Sequence, residues 1–187
     1  MVKKNACIFI SGMGSNLRNL ILRSRDYSFP IKIKLIVCNN KNALGIVYAK
    51  KNSIPCLIID TKIRNYEYQL LHILKKNKIS LICLAGYMKI LSKRFIGKFG
   101  NKIVNIHPSL LPKFKGLNTF SRVLKSQEIK TGCTVHYVSE KLDSGKIISQ
   151  KGFYINNSDN EKSLKEKTQK LEYKIYPEAI IKIFRYG

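Results

Sequence analysis

The chain has 187 residues, with 35 lysines and arginines against 11 aspartates and glutamates, giving a formal charge of +24. That length suits one domain able to bury about 70% of its unfolded surface without staples, and a hydrophobic content of 44% excludes a disordered polyelectrolyte. The five cysteines, Cys7, Cys38, Cys56, Cys83 and Cys133, are odd in number, widely spaced and free of C-x-x-C, so they read as reduced buried thiols of a cytoplasmic protein, with neither disulfides nor a metal site expected.

Short β-rich runs alternate with amphipathic stretches, the pattern of an α/β, doubly wound, mostly parallel sheet. The first strand is expected at Ala6–Ile10, too short an apolar run for a signal-peptide core, and no later run is long enough for a membrane span. A helix follows over Asn16–Ser24, then a strand at Ile31–Cys38, a helix at Ala43–Lys51, a strand at Cys56–Ile59 and a helix at Tyr66–Asn77. The second half reads as a strand at Ser80–Ala85, a short helix near Ser92–Phe99, a strand at Lys102–Ile106, a helix at Thr119–Lys125, and strands at Cys133–Val138 and Lys146–Tyr154. A last helix runs from about Glu161 to Tyr186, with Ser158, Asp159 and Asn160 as capping candidates. No linker or repeat interrupts residues 1–187, which are read as one domain.

Three segments carry chemistry. Ser11-Gly12-Met13-Gly14-Ser15-Asn16-Leu17 follows the first strand and opens a helix, so backbone N–H groups there face an anion with the help of the helix dipole. Leu17 stands where a dinucleotide fingerprint needs its third glycine, and the second strand ends in Asn39-Asn40 without an acid for a ribose hydroxyl. A phosphate monoester is therefore expected in place of NAD, although a lone G-x-G is also an ordinary tight turn. In Val104-Asn105-Ile106-His107-Pro108 the strand period puts Asn105 and His107 on one face, and Pro108 keeps His107 extended at the strand end. Taken alone, that pair is equally a satisfied histidine beside a turn. Asp143, in Leu142-Asp143-Ser144-Gly145, is a candidate base or histidine partner that would favour an imidazolium, or a plain turn aspartate.

Together these segments resemble the glycinamide ribonucleotide formyltransferase family, folate-dependent enzymes of purine synthesis. The likeness runs through S-G-M-G-S-N-L, L-A-G-Y-M-K-I-L, N-I-H-P-S-L-L-P-K-F-K-G, G-C-T-V-H-Y-V and L-D-S-G in family order. It implies a seven-stranded Rossmann-like formyltransferase fold, with the ribonucleotide phosphate on Gly14, Ser15 and Asn16. It further implies 10-formyltetrahydrofolate as co-substrate beside Met88, Lys89, Ile90, Leu91 and Asn105 and the loop of Asp143, and catalysis by Asn105, His107 and Asp143 without a metal. Glu172 matches a ribonucleotide contact and Arg64 a folate contact. His136 faces the same region, as an orienting group or a buried hydrogen-bonded ring, and His72 has no assigned role. Asn118 and Phe120 stand where relatives often carry histidine, Lys89 replaces a more common arginine and so loses a bidentate fork, and the chain stops at Gly187, short of an extension many relatives possess.

The implied partners are small molecules, for a monomer or homodimer with no membrane and no specific nucleic acid. Two alternatives stand beside this reading. A methionyl-tRNA formyltransferase-like enzyme shares the S-L-L-P loop and the Asn/His/Asp set but ordinarily needs a further C-terminal domain. A non-catalytic basic nucleic-acid binder on the same fold would suit the charge, yet the lysines are scattered through nearly every segment in place of one face. Transfer RNA or duplex RNA should therefore bind weakly and without preference, the affinity collapsing as salt approaches physiological strength in filter-binding or anisotropy titrations. Tight saturable binding of one RNA at that salt would show a clustered basic face instead.

Overall fold

The computed structural model describes residues 2–100 and 102–185. The elements run β1 (Lys4–Ile10), α1 (Ser15–Ser24), β2 (Ile31–Cys38), α2 (Ile46–Lys51), β3 (Cys56–Ile58), α3 (Tyr66–Lys76), β4 (Leu81–Leu84), α4 (Lys93–Phe99), β5 (Ile103–His107), α5 (Thr119–Lys125), β6 (Lys130–Tyr137), β7 (Ile147–Tyr154) and α6 (Glu161–Arg185). The strands form one seven-stranded sheet in the order β3-β2-β1-β4-β5-β6-β7, an α/β architecture of the kind expected. The sheet is mostly parallel; β1 pairs in parallel with β2 and β4, and β2 with β3, whereas β6 and β7 are antiparallel. By internal contacts the chain falls into two compact units, Met1–Val104 and Asn105–Gly187, which are described in turn.

In the first unit β1 is buried on both sides, and Ala6 to Ile10 are all 0% exposed, which is why this strand reads as a continuous apolar run and not an alternating one. Phe9 packs edge-on against Tyr87 with ring centroids 5.2 Å apart, an arrangement aromatic quadrupoles favour. α2 begins at Ile46, three residues later than the periodicity predicts. The reason is tertiary: the N–H of Gly45 is committed to the carbonyl of Gly12 at 2.9 Å, so residues 43–45 turn rather than coil.

In the second unit β6 starts at Lys130, ahead of the expected Cys133, because pairing with β7 extends the ladder to Lys130↔Tyr154. α6 packs on this hairpin through Leu164, Ile175, Tyr176, Ala179 and Ile180, each 0% exposed. Its start is a reciprocal cap in which Asn160 Oδ1 accepts from the Ser163 N–H at 3.0 Å and Ser163 Oγ accepts from the Asn160 N–H at 3.0 Å, so Asn160 is the capping residue among the three candidates. The expected helix end at Tyr186 lies outside the described residues. Among those described, no helix is long and apolar enough to cross a membrane.

Two glycines fix the turn after β1. Gly14 has φ +72°, and a Cβ there would lie 2.6 Å from the Gly45 Cα, while one on Gly45 would lie 2.9 Å from the Gly14 Cα. The two backbones touch because neither residue has a side chain. Gly14→Ala should consequently lower stability by more than about 1 kcal/mol, read as a shifted urea midpoint, because it adds both left-handed strain and a backbone clash; an unchanged midpoint would mean the turn re-forms at no cost.

Candidate active site

The second unit gathers three polar side chains, Asn105, His107 and His136, about the Asp143 carboxylate. β5 ends with Asn105 and His107 on the same face, and His107 is 5% exposed. Its Nε2–H donates to the Phe114 carbonyl at 2.8 Å, and Nδ1 stands 3.3 Å from Asp143 Oδ2. A neutral ring carries its proton on Nε2, so protonation places the second proton between Nδ1 and the carboxylate. His136, on β6, donates Nδ1–H to the Tyr137 carbonyl at 2.8 Å. Its Nε2 then accepts from the Asn105 amide at 3.3 Å and lies 3.6 Å from Asp143 Oδ1. Asp143 also accepts the Gly116 N–H at 2.8 Å.

The loop geometry that presents Asp143 is tight. Asp143 itself takes φ +45°, and a Cβ on Gly145 would lie 1.7 Å from the Tyr137 carbonyl oxygen, so glycine alone permits the loop to close against the end of β6. On the opposite side, Thr134 Oγ1 donates to the Ser109 carbonyl at 2.6 Å and accepts the Leu111 N–H at 3.1 Å, while Gln150 donates to both Leu111 O and Thr134 Oγ1. These bonds pin the segment that carries the Phe114 carbonyl. Neither Thr134 nor Gln150 announces such a role in the sequence, because each reads as one more residue in a strand.

Electrostatics divide the pair unevenly. Burial pulls the Asp143 carboxyl upward, but the His136 ring beside it, the Gly116 N–H donated to it and the nearby His107 ring outweigh burial and bring the pKa from the ordinary 3.8 down to about 2. Burial pushes the His107 ring below its ordinary range, and the Phe114 carbonyl and Asp143 pull it back only in part. Asp143 therefore holds a negative charge at neutral pH, and desolvation opposes the imidazolium that the carboxylate would favour. The Asn105 amide bonds His136 Nε2 through Nδ2 at 3.3 Å.

The first unit holds the other expected contact positions except Glu172. Gly14 is the N-cap of α1, the cap makes no side-chain hydrogen bond, and no acid lies in the first turn, so the opening N–H groups of this helix favour an anion. Met88, Lys89 and Ile90 are exposed in the loop after β4, and Leu91 is buried. Ser11, which was not among the expected contacts, links these segments: its hydroxyl donates to Asn39 Oδ1 at 2.6 Å and accepts the Met88 N–H at 2.7 Å. Arg64 is exposed in the turn before α3. His72 lies on α3 with its ring 6.5 Å from that of Tyr68, apart from this hydrogen-bonded network. In the second unit, Glu172 is half-buried on α6 and helps burial to raise the Cys133 thiol. Asn118 caps α5 with φ +55° and Phe120 is the second residue of that helix, so neither position carries an imidazole.

Residues 4–180 match the formyl transferase family. The phosphoribosylglycinamide formyltransferase of Haemophilus influenzae is 39% identical over 98% of this chain and 88% of its own. The human trifunctional purine biosynthetic protein adenosine-3 is 36% identical over 95% of this chain, which spans only 18% of that protein's length and similarly small shares of its bovine and fly counterparts. Among solved structures, phosphoribosylglycinamide formyltransferase from Brucella melitensis superposes with a TM-score of 0.92 at 36% identity, covering 100% of this chain and 97% of that one. The same enzyme from Bacillus halodurans gives 0.93 at 33%, covering 98% and 96%.

A depressed carboxylate contributes stability that is present above its unfolded pKa and lost as pH falls through its folded one. For Asp143, that window runs from 3.8 down to about 2. Between about pH 5 and about pH 2 the native protein should lose roughly 2 kcal/mol more stability than Asp143→Asn, measured by denaturant titration at each pH. Parallel curves for the two proteins would show that the carboxylate is not held below its ordinary range.

Proposed function

The chain belongs to the formyl transferase family, and on that premise we propose that it moves the formyl group of 10-formyltetrahydrofolate onto the primary amine of 5′-phosphoribosylglycinamide, a step of purine (IMP) biosynthesis. The observation that carries this reading is the buried cluster of Asn105, His107, His136 and Asp143, which joins an amide donor and an imidazole to a carboxylate charged at neutral pH. The uncapped helix start at Gly14, with Ser15 and Asn16, is the matching anion site for the ribonucleotide phosphate. Residues 1–187 act in this reading as one formyltransferase domain, and reduced thiols suit a cytoplasmic setting.

In the reaction the neutral amine attacks the formyl carbon and the carbonyl oxygen becomes an oxyanion. The Asn105 amide donates to that oxygen. His107 donates its Nε2–H once the substrate oxygen displaces the Phe114 carbonyl, a hydrogen-bond exchange in which the developing charge supplies the gain. Approach of a negative oxygen also raises the proton affinity of the ring, and its second proton then lies towards Asp143. The attacking nitrogen loses its proton and the folate N10 gains one as the carbon–N10 bond breaks, leaving a formamide and tetrahydrofolate. Asp143 serves this transfer as a charged acceptor through water. A polarised carbonyl and a proton path suffice for these steps, and none of them is routed through a metal. The folate ring system lies along Met88, Lys89, Ile90 and Leu91, with Arg64 at its carboxylate end, while Glu172 contacts the ribonucleotide.

His107→Ala and Asp143→Ala should each lower kcat by at least about a hundredfold while calorimetric binding of the ribonucleotide persists. Near-normal turnover in either variant would remove these residues from the reaction.

A further inference from the structure

The loop after β4 has an exposed apolar surface on a backbone that is held at both ends. Met88 is 66% exposed and Ile90 76% exposed, an arrangement that costs free energy unless something covers it. At one end the Met88 N–H is bonded to Ser11 Oγ at 2.7 Å and the Tyr87 ring lies against Phe9. At the other, Glu67 on α3 accepts the Ser92 N–H through Oε1 at 2.9 Å and the Ser92 hydroxyl through Oε2. Ser92 in turn caps α4, its Oγ accepting the Phe95 N–H at 3.1 Å. Tyr66 completes this end by donating to Glu67 Oε1 at 3.4 Å.

Acids are scarce here, at 11 in the whole chain, and Glu67 spends both oxygens on one serine. A carboxylate that takes two donors from one residue fixes that residue's position and direction, where one neutral bond would fix only a distance. All of these groups lie in the first unit, in segments 9–11, 66–67 and 87–95, so the restraint is complete within it. Holding the backbone of residues 88–91 in advance removes the ordering cost that a flexible loop would levy on binding.

We propose that Glu67 is a positioning residue for the formyl donor: through Ser92 it sets the segment Met88–Leu91 against which the folate ring system rests. This rests on the assignment of that segment made under the proposed function. The ribonucleotide phosphate, at Gly14 to Asn16, makes no use of Glu67, so the two substrates should respond differently to its loss.

The test is steady-state kinetics of Glu67→Ala and Glu67→Gln with each substrate varied in turn, together with circular dichroism and thermal melts of each variant. In Glu67→Ala the KM for the formyl folate should rise about tenfold or more, with the KM for the ribonucleotide within about twofold of native and kcat little changed, because two charge-assisted hydrogen bonds are lost away from the reacting atoms. Glu67→Gln keeps an acceptor for the Ser92 N–H and should give a smaller rise, about threefold, so the order of folate KM is Ala above Gln above native. Equal increases for both substrates, or a folate KM unchanged in either folded variant, overturn the proposal. Should Glu67→Ala not fold, Glu67→Gln decides alone, an unchanged folate KM again counting against it. Failure of the functional reading itself has a separate signature, since the native protein would then transfer no formyl group at all.

Discussion

Asp143 is a charge taken out of water, and the second unit is organised around that fact. A carboxylate at 9% exposure persists as an anion only if hydrogen bonds and opposite charge replace its hydration. Here one oxygen faces His107 Nδ1 and the Gly116 N–H, and the other faces His136. Each of those partners is in turn fixed by a backbone carbonyl, Phe114 for His107 and Tyr137 for His136. The ring orientations and the loops that supply the carbonyls are set around this one group.

The same compensation leaves His107 in a balanced state. Desolvation disfavours its second proton and the carboxylate favours it, with burial the larger influence. An imidazole so placed changes its proton affinity strongly when a negative oxygen forms beside it, because low local polarity magnifies each added charge. A ring fully protonated from the outset would already be matched to the ground state and would gain less at the transition state. The proposed chemistry draws on this difference more than on the resting charge.

The first unit uses its scarce acids in another way. Glu67 and Ser11 hold neighbouring loops by short polar contacts at the ends of β1 and β4, and the glycine pair Gly14 and Gly45 lets the α1 and α2 turns close on each other. The abundant lysines take little part in this framework. Lys113 with Glu128 and Lys151 with Glu178 pair at exposed positions, where an ion pair contributes about 1 kcal/mol or less, while Lys167 reaches the shielded Asp159 carboxylate at 2.7 Å. The large positive charge is thus a property of the surface and adds little to the internal order.

The sequence by itself determined the strand and helix order, since short β-rich apolar runs and amphipathic stretches with period 3.6 are local patterns. Ile31–Cys38 and Thr119–Lys125 coincide in pattern and in structure, and other elements differ by a few residues at their ends. It also marked Asn105, His107 and Asp143 as candidates, because strand alternation, a proline after the histidine and an acid in a turn are visible along the chain, while the role of each was implied only by the family resemblance. Only the tertiary structure decided that His136 closes the cluster, that Phe114 supplies a carbonyl to His107, and that Glu67 reaches Ser92 across 25 residues of sequence. It likewise delayed the start of α2 by committing the Gly45 N–H to Gly12. The physical reason is common to all four: these partners are remote in sequence, so no local pattern encodes them, and burial, which sets both the pKa of Asp143 and the proton balance of His107, exists only once the chain has closed around them.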